Sequence, residues 1–121
     1  MIRILNLRAK AEYPSFMYLP ITKSGNLICE QYVLCSKNKL IGYLSCVPKW
    51  QDKLPLLNQI YVVPEERRKG YAVRLVQQFI DKNCNPNSTI LFYVESTNDE
   101  SYNLLVKKMG LGKRMIEVQL G

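Results

Sequence analysis

Between residues 64 and 72 the chain reads PEERRKGYA: a proline that ends an apolar run, three consecutive cations, one glycine, and an alanine two residues later. These residue types, in this order, suit the holding of an anion. Backbone N–H groups at the start of a helix have no intrahelical partner and lie at the positive end of the helix dipole, so they attract phosphate. A glycine at that point lets a ligand approach the backbone closely. Arg67, Arg68 and Lys69 add charge around it, and Ala72 lets the helix pack tightly on the strand. The spacing fits neither the dinucleotide pattern G-x-G-x-x-G nor the Gly-Lys-Ser/Thr of a P-loop. An exposed turn would need nothing beyond the glycine, so the reading depends on the elements to either side.

Those elements are a strand leading in and a helix leading out. LLNQIYVV, 56 to 63, is rich in β-branched and aromatic residues and is closed by Pro64, which marks a strand. From Gly70 the apolar residues fall at Ala72, Leu75, Val76, Phe79 and Ile80, the spacing of a helix with one buried face. After DKNCNPNS, the run TILFYVE at 89 to 95 supplies a further strand and completes a βαβ unit, whose two strands are expected to be parallel neighbours. The turn therefore lies at the carboxyl end of a strand, where open α/β sheets bind ligands.

The rest of the chain reads around this unit. IRILNLRA opens as a strand; residues 14 to 28, with two prolines and a Ser-Gly pair, read as a short connection or one helical turn. QYVLCSKNKLIGYLSCV reads as a hairpin with strands at 31 to 36 and 40 to 47, and PKWQDKLP as irregular. Thr97 with Glu100 forms a capping-box signature for a second helix, whose stripe is Tyr102, Leu105, Val106 and Met109 and whose end is Gly110. RMIEVQL at 114 to 120 is the last strand. The fold class expected is α/β (α+β): one domain, 1–121, with a mixed sheet of about six strands.

Composition agrees with a globular chain: 121 residues, 47 % apolar and 22 % charged. The net charge of +7 favours an anionic partner, whether nucleic acid, an acidic protein surface or a phosphorylated small molecule. No apolar run approaches the ~20 residues of a membrane-spanning helix, and the N-terminus lacks a signal-peptide h-region, so a soluble cytoplasmic protein is expected. Four cysteines without CxxC spacing and the absence of histidine argue against a metal site and for reduced, core-type thiols.

The stretch VVPEERRKGYA resembles the acetyl-CoA-binding motif of the GNAT superfamily of N-acetyltransferases, V-x-P-x-x-(Q/R)-x-x-G-x-(G/A). Val62, Pro64, Arg67, Gly70 and Ala72 fall in register. KKMGL at 107 to 111 is similar to the family's K-x-G-F signature, and the likeness in organisation runs from about residue 31 to 111. It implies that the backbone amides of residues 67 to 72, Tyr71 included, hold the CoA pyrophosphate. The pantetheine arm would lie in a splay between the strands at 56 to 63 and 89 to 95. Backbone at Ile60, Tyr61 and Val62 would pair with that arm and polarise the thioester, as preorganised donors do.

The implied chemistry is direct attack of a primary amine on the thioester, which needs a neutral nucleophile although a lysine amine has a pKa of ~10.4. Without histidine, Glu95 is the candidate base. The family's usual tyrosine is missing: its position falls on Val106 or Leu105 by either count, and Tyr102, on the same helical face, is the substitute. The short first half leaves little room for the family's two N-terminal helices, which implies an open acceptor groove and a protein or peptide amine, or a homodimer partner that completes the wall. Two other readings stay open: a GNAT-fold protein that binds CoA without efficient catalysis, and a basic nucleic-acid-binding module.

Overall fold

The computed structural model describes residues 16–24, 27–36, 39–95 and 99–118, with side chains from residue 30 onward. Six strands form one mixed sheet in chain order. Strands β1 (Phe16–Ser24), β2 (Leu27–Ser36), β3 (Lys39–Trp50) and β4 (Leu54–Val62) are antiparallel neighbours. Strands β5 (Phe92–Glu95) and β6 (Met115–Val118) continue the sheet in parallel. Helix α1 (Tyr71–Asn83) connects β4 to β5. Between β5 and β6 lies α2 (Asp99–Tyr102), which runs directly into a π-helical segment, Asn103–Lys108. The βαβ unit and the mixed α/β sheet expected from the sequence are thus present. The strand expected in IRILNLRA and the capping residue Thr97 lie outside the described residues.

Two expectations are corrected. Where residues 14 to 28 were expected to form a short connection or helical turn, Phe16–Ser24 is a strand, paired with β2 from Phe16↔Leu34 to Ser24↔Leu27. Pro20 fits a strand that is at the edge of the sheet among the described residues, and a register shift separates Pro20 from Lys23. The segment PKWQDKLP is likewise not irregular. β3 runs through to Trp50, with its register shift falling across Pro48 and Lys49, and a two-residue turn at Gln51 and Asp52 leads into β4. Both turn residues have positive φ, 53° and 57°, and the Lys53 N–H donates to the Trp50 carbonyl at 3.1 Å, the arrangement of a type I′ hairpin turn.

One irregularity shapes the centre of the sheet. The β3–β4 register passes from Ser45↔Gln59 to Cys46↔Leu57, so Asn58 is an extra residue, a β-bulge. Bulges bend and twist the strand that carries them. β4 then pairs with β5 only at Leu56↔Tyr93 and Leu57↔Val94. From Asn58 to Val62 its outer edge has no described strand beside it.

One face of the sheet carries the main core. Leu75, Val76 and Phe79 of α1 pack with Tyr32, Leu34, Leu44, Leu57, Phe92 and Leu105, and the Phe79 and Phe92 rings meet edge to face at 5.3 Å. At the end of α1 the Asn83 amide donates to the buried Tyr32 hydroxyl at 2.6 Å and to the Phe79 carbonyl at 3.1 Å, tying the helix end to β2. On the opposite face Val33, Cys35 and Tyr43 form a second cluster with Leu40 and Tyr61. Cys35 and Cys46 are buried free thiols, as core cysteines would be.

Candidate functional site

The turn after β4 is built from local forces. Val62 ends the strand, Pro64–Glu66 makes a single 3-10 turn, and the chain then passes through two left-handed residues, Arg68 (φ 65°) and Gly70 (φ 84°). Glycine is required at 70 for that φ; a Cβ built there would meet nothing within 4 Å, because the space in front of it is open. Gly70 is the N-cap residue of α1 and no side chain caps the helix, so its first-turn N–H groups face that open space.

A cavity of about 570 Å³ opens there. One wall is the unpaired end of β4, at Ile60, Tyr61 and Val62. The floor is the start of α1, with Gly70, Tyr71 and Ala72, beside Arg67 and Arg68. Asn103, Leu104 and Lys108 of the π-helical segment line the other side, with Glu100 and Ser101.

The three consecutive cations have different tasks. Arg67 Nε donates to the Val62 carbonyl at 2.8 Å, and its guanidinium lies 5.8 Å from the centre of the Tyr61 ring, so it secures the end of β4. Lys69 Nζ is paired with Glu66 Oε1 at 2.9 Å, and that partner raises its pKa; Lys69 does not line the cavity. Arg68 lines the cavity and has no protein partner among the described residues. Its left-handed backbone is strained for a non-glycine residue, a cost of order 1 kcal/mol.

Of the residues singled out in the sequence, Ile60, Tyr61, Val62, Arg67, Arg68, Gly70, Tyr71 and Ala72 share this cavity, and Lys69 stands outside it. Glu95 ends β5 and is partly buried, and Tyr102 is 47 % exposed on α2; neither lines the cavity. Tyr102 does not belong to a buried stripe, contrary to expectation, because the helix turns from α to π geometry directly after it. Asn103 was not picked out, and Lys108 entered only through the KKMGL likeness, not as a residue of the cavity. They are five residues apart, roughly 140° around an α-helix, and only the π register brings them to one face. The Met109 N–H donating to the Leu104 carbonyl at 3.0 Å is the bond of that register. Gly110, with φ 67°, then ends the helix as its position suggested.

Other ionisable groups sit in the scaffold. Burial pushes the Cys84 thiol up to about 11, with Arg114 opposing, and also raises the Cys35 thiol. Arg114 clamps the loop before β5 by donating to the carbonyls of Pro86 and Ser88 at 3.0 and 2.9 Å. No group of three or more potential metal ligands occurs among the described residues, and none of the described helices is long and apolar enough to cross a membrane.

Two comparisons bear on this geometry. The profile of the acetyltransferase (GNAT) family matches residues 3–116, nearly the whole chain. No curated protein matches it.

Proposed function

This chain belongs to the acetyltransferase (GNAT) family, and on that premise we propose that it transfers an acetyl group from acetyl-CoA to a primary amine of a protein or peptide. The observation that carries the proposal is the open edge of β4 from Asn58 to Val62, which leads to the uncapped start of α1 beside one cavity. An extended arm with amide groups can pair with that edge as a strand would, while a pyrophosphate takes the N–H groups of residues 70 to 72. Arg68 and Lys108 line the cavity and supply positive charge, and neither has a protein partner among the described residues. Arg67 contributes indirectly, by holding the Val62 carbonyl and hence the strand end.

In the reaction the amine attacks the thioester carbonyl carbon while a β4 backbone N–H stabilises the developing negative charge on oxygen. Proton transfer by Glu95 or Tyr102 would have to run through water, since neither lines the cavity; Glu95→Gln and Tyr102→Phe test those two roles. A macromolecular acceptor is supported by the first half of the fold: between Phe16 and Val62 no helix occurs among the described residues, so none of them walls the cleft on that side.

Acetyl-CoA at 100 times its Kd should raise the melting temperature by roughly 10 °C. Gly70→Glu, which places a carboxylate at the phosphate position on a left-handed backbone, should remove that shift. No shift in the wild type, together with tight binding of RNA or DNA at physiological salt, would replace this reading with a nucleic-acid module. A second reading is favoured by the absence of Glu95 and Tyr102 from the residues that line the cavity: a protein that binds acetyl-CoA and does not turn it over. Release of free thiol in the presence of a peptide panel separates the two.

A further inference from the structure

Two cations reach the cavity from opposite sides. Arg68 stands on the turn, next to the uncapped N–H groups at the start of α1. Lys108 comes from the facing wall, in the last turn of the π-helical segment, and its side chain is exposed and has no protein partner among the described residues. The neighbours of these two in the basic runs do not share the site: Lys69 is paired with Glu66, and Lys107 does not line the cavity.

The place of Lys108 follows from the backbone. In an α-helix the residue one turn beyond Asn103 is Lys107; in the π register, marked by the Met109 N–H donating to the Leu104 carbonyl, it is Lys108. Segments of π geometry are rare and are frequent at functional sites. A lysine in a last turn also offsets the helix dipole. Lys107 and Lys108 both lie in that turn, so the dipole gives no reason for one of them to face the cavity.

The chemistry of the coenzyme separates the two cations. In the acetyl-CoA reading the pyrophosphate lies at the N–H groups of residues 70 to 72, with Arg68 on the same side. Acetyl-CoA carries one more phosphate, a monoester on the 3′ oxygen of the ribose, with roughly −1.5 to −2 charges at pH 7 as phosphate monoesters have. Only that sugar separates it from the pyrophosphate, so both anions fall within reach of one cavity. Glu100, a carboxylate on the Lys108 wall, repels phosphate, and it lies two helical turns earlier, roughly 12 Å along the axis. The Lys108 end of that wall is therefore the end that suits an anion. We propose that Lys108 pairs with the 3′-phosphate, with the Asn103 amide as a neutral donor beside it, and that the site thereby selects 3′-phosphorylated CoA over its dephospho form. This rests on the acetyl-CoA reading above.

The test is calorimetric titration of the full chain with acetyl-CoA and with 3′-dephospho-acetyl-CoA. The wild type should bind acetyl-CoA about tenfold more tightly, the scale of one charge-assisted hydrogen bond. Lys108→Gln should bring the two affinities within about twofold of each other by weakening acetyl-CoA alone, since a tenfold ratio is the whole of that bond. Lys107→Gln, which removes the same charge one residue away, should leave the ratio as it is, and Arg68→Gln should weaken both ligands by the same factor. The assignment is overturned if the wild type binds the two ligands equally, if Lys108→Gln leaves their ratio unchanged, or if Lys107→Gln lowers the ratio as much. Failure of the wild type to bind either ligand would instead remove the coenzyme reading, and this assignment with it.

Discussion

Arg67, Arg68 and Lys69 are adjacent in sequence and alike in charge, yet each meets a different surrounding. Arg67 bonds the Val62 carbonyl, Lys69 bonds Glu66, and Arg68 faces the cavity from a left-handed backbone. These placements predict separable effects. Arg67→Ala should lower stability by about 1 kcal/mol, the worth of its hydrogen bond, and should weaken acetyl-CoA only through the loosened strand end. Arg68→Gly should do the reverse, stabilising the free protein by about 1 kcal/mol through relief of its positive φ while reducing acetyl-CoA affinity. Urea denaturation and calorimetric titration of the two variants check both halves. At this scale the glycine was legible because its φ is set by a few neighbouring bonds. The sorting of the cations was not, since it depends on which carbonyl or carboxylate folding brings within reach.

At the scale of elements, α1 was plain from its apolar spacing, and the spacing of its buried residues, Leu75, Val76 and Phe79, is that of one packed face. The β3–β4 turn was hidden because Gln51-Asp52 lacks the Asn-Gly or Asp-Gly pair that usually marks positive φ at two successive positions. The bulge at Asn58 was hidden too, because it is a mismatch between two strands and neither strand alone carries it. Packing of α1 on β2 makes a further prediction through Glu30. Burial raises its carboxyl above the usual 4.5, and Lys82 of α1 only partly opposes this. A group with its pKa raised on folding binds its proton more tightly when folded, so it disfavours folding as pH rises from 4.5 through the folded value. Glu30→Gln should therefore raise the melting temperature at pH 7 and leave it nearly unchanged at pH 4, measured by thermal unfolding at the two pH values.

For the whole molecule, the charge of +7 acts beyond any single contact. A net positive surface draws anions from a distance comparable to the Debye length, about 10 Å at 0.1 M salt. Acetyl-CoA association should therefore slow several-fold between 0.05 and 0.5 M salt by stopped-flow measurement, whereas the dissociation rate, governed by short contacts inside the cleft, should change less. An association rate indifferent to salt would show that local groups, and not the overall field, bring the ligand in.

What the sequence determined by itself was whatever a few consecutive residues enforce: the end of β4 at Pro64, the left-handed Gly70, the amphipathic α1, the helix stop at Gly110, and the motif that carries the family resemblance. These are local because backbone conformation and periodicity are set over one or two turns of chain. Tertiary structure alone decided that β4 leaves β5 after Leu57, that a π-helical segment brings Lys108 to the cavity, and that only Arg68 of the three cations keeps its charge unengaged. It also decided that β4 bulges at Asn58 against β3. Each of these depends on the relative placement of strands and helices separated in sequence, and no periodicity or spacing within one of them encodes that placement.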